Sequence, residues 1–266
     1  MGTEQLGLEP TADLELALAD LAEHGLCLIA DVLTADALAA VHDLLYELAD
    51  RSPDAGRGYP YDRDRTNQRV WALLAEGQPF VDLVTNPTAL GLVRHLLGQR
   101  VLLSNISANI TSPGGGEMVM HADQGYLPEP WPELPQAANA TWMVDDFKAD
   151  TGATLVAPGS HLLGHGPQHL TDGQSSPELV SLEAPAGTLC VMDGRLWHQT
   201  GVNTSSSERR AGIFSYYTRP HIRGQENWQR SLSADQLAEA DADPVLADLL
   251  GLRSWHALGL VGGAEV

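Results

Sequence analysis

From Val101 to Thr218 the chain is cut into short apolar runs by glycine, proline and aspartate turn signals, and this texture constrains the fold more than any other feature. Seven runs read as strands: Val101 to Ile110, Glu117 to Asp123, Ala140 to Phe147, Ala153 to Val156, Leu179 to Leu182, Thr188 to Met192 and Arg209 to Thr218. Segments this short, bounded by turn formers, pair with antiparallel neighbours more readily than they wind into helices. Many such strands in succession close into a sandwich or jelly roll.

The flanks have a helical period. Thr11 or Asp13 caps a helix carrying Leu14, Leu16, Leu18 and Leu21, and Thr34 caps another through Leu38, Val41, Leu44, Leu45 and Leu48. Between them Leu26 to Ala30 reads as a buried strand, and a third helix runs from Pro87 to Leu97 and stops at Gly98. Helix returns beyond Arg223, with Ser233 as a cap and Leu237, Leu246 and Leu249 on an apolar face. At 266 residues and 43% hydrophobic content the chain can bury one substantial core. The expected organisation is one domain over 1–266, with a helical N-terminal region over residues 1–100, a jelly-roll core over 101–220 and a helical tail over 221–266. Two polar segments rich in Gly and Pro, 52–66 and 126–139, read as loops over a site.

The chemistry is carried by His121 and Asp123, with one residue between them, and by His198, 77 positions after His121. On a strand His121 and Asp123 point the same way, and His198 follows the apolar run ending at Met192 and a turn at Asp193-Gly194. Two imidazoles and one carboxylate can hold one face of a ferrous ion and leave the opposite positions open, the ligand set of non-haem iron oxygenases. Eleven residues after His198 comes Arg209, followed by Arg210. A guanidinium entering an apolar strand suits a carboxylate partner. Arg209 alternates with Ala211, Ile213 and Ser215, and Arg210 with Gly212, Phe214 and Tyr216, so periodicity does not choose between them.

The stretch from His121 to Tyr217 resembles the phytanoyl-CoA dioxygenase-like branch of the Fe(II)/2-oxoglutarate oxygenases. The resemblance rests on four ordered motifs: His121-x-Asp123, the run Gly152 to His161, His198 with Thr200, Gly201 and Asn203, and then Arg209. It extends faintly upstream through Asn67 to Trp71 and the helix closing on Gly98. It implies a double-stranded β-helix with helices on one sheet, and His121, Asp123 and His198 as catalytic metal ligands for Fe(II). It also implies 2-oxoglutarate as co-substrate, decarboxylated to succinate with consumption of dioxygen. The family spacing selects Arg209 for the distal carboxylate of 2-oxoglutarate, assisted by the Thr200 hydroxyl. Trp142 occupies a position where relatives place an aromatic residue near 2-oxoglutarate, with core packing as the alternative. Asn109 is a candidate donor to the same ligand, and Gln68 and Arg69 resemble an upstream polar contact to it. Gln124 and Tyr126, just past the Asp ligand, are expected to face substrate, with Trp131 and Phe147 as pocket walls. His161 sits in a Pro-Gly-Ser-His corner whose simpler job is geometric.

Because Asp123 retains the carboxylate ligand, hydroxylation or a related oxidation is implied rather than halogenation. Alternatives are a cupin-like dioxygenase that does not use 2-oxoglutarate, which has no use for Arg209, and a non-catalytic jelly-roll binding protein. The formal net charge of -20, with no Lys/Arg cluster, argues against nucleic acid and weakens a coenzyme A thioester as substrate. The expectation is an uncharged, moderately apolar small molecule, a secondary metabolite, bound by a monomer or homodimer. Cys27 and Cys190 lie in apolar runs and read as buried thiols. With no basic, hydrophobic leader and no apolar run of membrane-spanning length, a cytoplasmic location away from the membrane is expected.

Overall fold

A computed structural model of the protein describes residues 7–54, 66–169 and 177–266. Most of the 52–66 loop lies outside them. The strands are β1 (Leu26–Ile29), β2 (Asn67–Val70), β3 (Leu102–Thr111), β4 (Ala137–Met143), β5 (Thr154–Ala157), β6 (Val180–Ser181), β7 (Leu189–Asp193), β8 (Trp197–Thr200) and β9 (Arg210–Thr218). They form a six-stranded sheet in the order β1-β7-β4-β9-β3-β2 and a three-stranded sheet in the order β6-β5-β8. Every pairing between these strands is antiparallel, as the jelly-roll reading expects. The helices are α1 (Leu14–His24), α2 (Ala35–Arg51), α3 (Gln78–Val84), α4 (Pro87–Leu97), α5 (Trp228–Ser231), α6 (Ala234–Ala242) and α7 (Pro244–Leu249).

Local chemistry accounts for the helix ends. The Asp13 carboxylate accepts the Glu15 N–H at 2.9 Å and starts α1, and the Thr34 hydroxyl accepts the Ala37 N–H at 3.2 Å and starts α2. Each such cap contributes about 1 kcal/mol. Gly25 closes α1 at φ 82, and a Cβ there would meet His161 Nδ1 at 2.6 Å, so both the left-handed turn and the space require glycine. Val41, Leu45 and Ala49 recur every four residues and are the buried face of α2.

The period of two sorts the large sheet into two faces. Ala138, Ala140 and Trp142 of β4, Ala211 and Ile213 of β9, and Ile106, Ala108 and Ile110 of β3 join the helices in the principal core. A register shift between Leu103 and Asn105 resets the phase of β3, so Leu103 shares that core with Ile106. The opposite face meets the small sheet, where Leu26, Leu28, Met143, Cys190 and Met192 pack with Phe147, Ala153, Val156 and Leu196.

Three expectations are corrected. Besides the expected strand β1, the mostly helical first hundred residues contribute a second edge strand, β2, where no strand is expected. Residues 117–123 form no continuous strand; only His121 bridges, to His198. After Leu249 the tail is turns and two isolated bridges rather than helix. Among the described residues no helix is long and apolar enough to cross a membrane.

Candidate metal and co-substrate site

His121 and His198 are held together by a reciprocal pair of backbone hydrogen bonds, His121 N–H to His198 O at 3.0 Å and His198 N–H to His121 O at 2.9 Å. Their ring centroids lie 4.4 Å apart. Each Nδ1 sits near the carbonyl oxygen two residues earlier, Val119 at 2.9 Å and Leu196 at 3.0 Å. A carbonyl only accepts, so Nδ1 carries the proton and each Nε2 is left with its lone pair. Both Nε2 atoms lie 3.8 Å from Asp123 Oδ1. Ligands at about 2.1 Å from one ion stand roughly 3 to 3.5 Å apart, so small inward shifts complete a site. Burial lowers the His121 pKa to about 4, helped by the neighbouring His198 and opposed by Asp123, so this ring is neutral at pH 7. Among the described residues this is the group of three whose ligand atoms, all within 4.8 Å of one another, can hold a metal.

The triad opens into a cleft of about 530 Å³ whose lining includes Arg69, Trp71, Asn105, Ser107, Tyr126, Glu129, Asn139, Thr200, Phe214, Tyr216 and Gln225. Asn139 donates to Asp123 Oδ2 at 3.0 Å, and the Tyr216 hydroxyl donates to the Asp123 backbone oxygen at 3.0 Å. The 126–139 segment does approach the cleft, through Tyr126 and Glu129. Glu129 accepts the Gly166 N–H at 2.6 Å and meets His169 at 2.5 Å, and Arg195 donates to the carbonyls of Pro132 and Glu133.

Arg210, not Arg209, turns into the interior. β9 begins at Arg210, which pairs with Thr111, and the Thr111 hydroxyl donates to Arg210 O at 3.0 Å. This register turns even-numbered side chains, among them the cleft residues Phe214 and Tyr216, toward the small sheet. Arg210 is fully buried, donates to Gly152 O and lies 4.4 Å from the Phe147 ring centroid. Its Nε and Nη1 meet no acceptor among the described residues. Complete burial lowers its pKa to about 10; Asp145 and Tyr46 oppose this and Arg69 adds to it. Arg209 instead points outward, 3.1 Å from Asp50 and 4.4 Å from the Tyr46 ring centroid.

Other expected contacts are also redistributed. Trp142 is buried on the helix side of the sheet, away from the cleft, because it follows Ala138 and Ala140 in phase. Gln68 donates to Ala49 O at 2.9 Å and Ser52 O at 3.1 Å, tying down the end of α2, whereas its neighbour Arg69 faces the cleft. Asn109 shares the inner face of β3 with Asn105 and Ser107, and its Oδ1 has no donor among the described residues. Thr200 lines the cleft 3.4 Å from Met118 Sδ. Tyr126 lines it too, but Gln124 is buried and accepts the Gln136 N–H at 3.0 Å. Trp131 packs with Ala122, Ala157 and Trp197, and Phe147 lies under Arg210 in the inter-sheet core; neither is a cleft wall. His161 Nε2 donates to Ala22 O at 3.3 Å, a structural contact. Asn139, Tyr216 and Gln225 do not stand out in the sequence. The alternation of Asn139 and Thr141 with alanines in β4 is the signal that marks its polar inner face.

The model of the phytanoyl-CoA dioxygenase family matches residues 21–211. Dioxygenase af480 of Aspergillus fumigatus is 37% identical over 254 residues, covering 91% of this chain and 78% of that protein. Among solved structures, the epimerase SnoN in complex with Fe3+, alpha ketoglutarate and nogalamycin RO superimposes with a TM-score of 0.62 at 19% identity, covering 80% of this chain and 86% of that one. EctD from S. alaskensis with 2-oxoglutarate and 5-hydroxyectoine gives 0.61 at 20% identity, covering 82% and 83%. The extent of the family match and the fungal relative together establish that the chain belongs to the phytanoyl-CoA dioxygenase family.

Proposed function

We propose that this dioxygenase uses Fe(II), held by His121, Asp123 and His198, and 2-oxoglutarate to oxidise an uncharged small molecule of secondary metabolism. The observation that carries this reading is Arg210, a buried guanidinium whose Nε and Nη1 have no acceptor among the described residues, on the same inner face as the cleft residues Phe214 and Tyr216. Buried guanidinium N–H groups without acceptors are costly, and a carboxylate of a dicarboxylate ligand supplies them. A 2-oxoglutarate-independent oxygenase or an inert binding module gives Arg210 no such partner.

When bound, iron and dioxygen supply the oxidising power, coupled to conversion of 2-oxoglutarate to succinate. The protein's own residues do the rest. Nδ1–H donation to Val119 O and Leu196 O orients both imidazoles, and Arg210 holds the far carboxylate of the co-substrate, with Arg69 and Thr200 alongside. Tyr126, Trp71 and Phe214 offer aromatic faces to the substrate, while Asn105 and Gln225 offer neutral hydrogen bonds. This lining and the net charge of -20 favour a neutral molecule over a polyanionic thioester. SnoN, solved with nogalamycin RO, supports a small-molecule reading of the cleft. The free, buried Cys27 and Cys190 fit work in a reducing compartment such as the cytoplasm.

Succinate formation, measured with Fe(II) and 2-oxoglutarate against acyl-CoA thioesters, free amino acids and neutral polycyclic or terpenoid compounds, tests the proposal. Stimulation by members of the neutral set is expected. Stimulation confined to acyl-CoA overturns the substrate class, and turnover of any substrate without 2-oxoglutarate overturns the co-substrate.

A further inference from the structure

The turn that carries Asp123 belongs to no strand, yet its position has to be defined to a few tenths of an ångström for ligation. Two residues on the large sheet meet it. Asn139 of β4 and Tyr216 of β9 are direct cross-strand partners in the sheet register. Asn139 Nδ2 donates to Asp123 Oδ2 at 3.0 Å, and the Tyr216 hydroxyl donates to Asp123 O at 3.0 Å. The amide orientation is fixed from behind, because Asn139 Oδ1 accepts the Thr141 hydroxyl at 3.4 Å and only the NH2 group is left for the carboxylate. One residue therefore holds the side chain of Asp123 and its strand neighbour holds the backbone.

From this geometry we infer that Asn139 and Tyr216 are positioning residues that clamp Asp123 so that it offers a metal one oxygen, Oδ1, rather than two. The oxygen bonded by Asn139 is Oδ2, and the oxygen turned toward both imidazole Nε2 atoms, 3.8 Å from each, is Oδ1. A carboxylate restrained in this way leaves more of the metal's coordination sphere for co-substrate and dioxygen. Partners that orient a ligand in this manner typically change metal affinity about 10- to 100-fold when removed. β4 and β9 lie at the centre of the six-stranded sheet, so the clamp borrows the rigidity of the sheet for a turn that has none of its own.

The inference rests on reading His121, Asp123 and His198 as a metal site, and the test separates the two claims. Co(II) affinity of the metal-free protein is measured by competition with a chromophoric chelator for wild type, Asn139→Leu, Tyr216→Phe and, as a control outside the clamp on the outward side of β9, Arg209→Ala. Thermal melts of each metal-free protein by circular dichroism run in parallel. Asn139→Leu and Tyr216→Phe are each expected to weaken Co(II) binding about tenfold or more, with metal-free melting temperatures close to wild type and Arg209→Ala near wild type in affinity. Unchanged affinity in both variants overturns the clamp while leaving the metal site standing. Failure of wild type to bind Co(II) overturns both claims. Should Asn139→Leu not fold, Tyr216→Phe decides alone, since it removes one oxygen atom from a ring that otherwise stays in place.

Discussion

Arg209 and Arg210 are neighbours in sequence, and their side chains leave the start of β9 on opposite sides. Arg209 pairs with Asp50 on α2, and Arg210 is buried between the sheets beside Phe147. The difference is enforced by the Arg210–Thr111 pairing, because shifting the strand by one residue would send Phe214 and Tyr216 to the helix side.

Arg210→Ala should raise the apparent KM for 2-oxoglutarate at least a hundredfold, since leaving one partner of a buried charge pair alone costs about 3 to 5 kcal/mol. Arg209→Ala should change it less than about fivefold, because an exposed ion pair contributes at most about 1 kcal/mol. Arg210→Lys keeps the charge but loses the fork, and should fall between the two. Steady-state kinetics with varied 2-oxoglutarate check this, and a larger effect at Arg209 would refute the assignment.

His198→Ala and Asp123→Ala should each abolish the weak visible band expected when Fe(II) and then 2-oxoglutarate are added anaerobically to the metal-free protein. Asp123→Ala should leave folding nearly intact, since the Asp123 side chain keeps 17% of its surface exposed in an already polar cleft. Chelation of the metal should remove activity and its return restore it. Survival of the band in either variant would remove that residue from the ligand set.

Gly212→Ala should cost about 1 to 3 kcal/mol of stability, as overpacking of a filled core does. The added Cβ would lie 2.9 Å from Phe147 Cζ, and Phe147 is the ring on which Arg210 rests. Urea unfolding reads the stability loss, and a parallel rise in the KM for 2-oxoglutarate reads the displacement of Arg210.

Burial lowers the pKa of His161 from its ordinary 6.5, against the opposing influence of Asp193. Above pH 6.5 the ring is neutral in both the folded and the unfolded chain and pH has no effect through it. As pH falls below 6.5, the unfolded chain takes up a proton that the folded protein resists, so stability declines. Urea midpoints at pH 7 and pH 5 should therefore fall further for wild type than for His161→Gln. Equal slopes would show that His161 does not contribute.

Much of the scaffold is legible in the sequence because its causes are local. Asp13, Thr34 and Ser233 cap helices with their own side chains, and the apolar runs of β3, β7 and β9 carry a period that needs no partner to be seen. β2 is not legible: Asn67-Gln68-Arg69-Val70 is mostly polar and becomes a strand only because β3 offers it an edge. By residue type Trp142 and Phe147 suit a cleft wall, but a tryptophan fills core or cleft equally well, and strand phase sends Trp142 to the helices.

By itself, the sequence picked out His121, Asp123 and His198, whose ligand atoms the fold brings within 4.8 Å of one another, and the alternating faces of the strands around them. Periodicity establishes which residues share a face, because that follows from the backbone of one strand. It does not establish which face meets the site, because that depends on the neighbouring strands and on what packs above and below them. Only the tertiary structure decided that Arg210 rather than Arg209 turns inward, that Gln68 anchors α2 while Arg69 reaches the cleft, and that Asn139 and Tyr216 meet at Asp123. Each of these outcomes depends on how distant segments of the chain pack against one another, which no local pattern encodes.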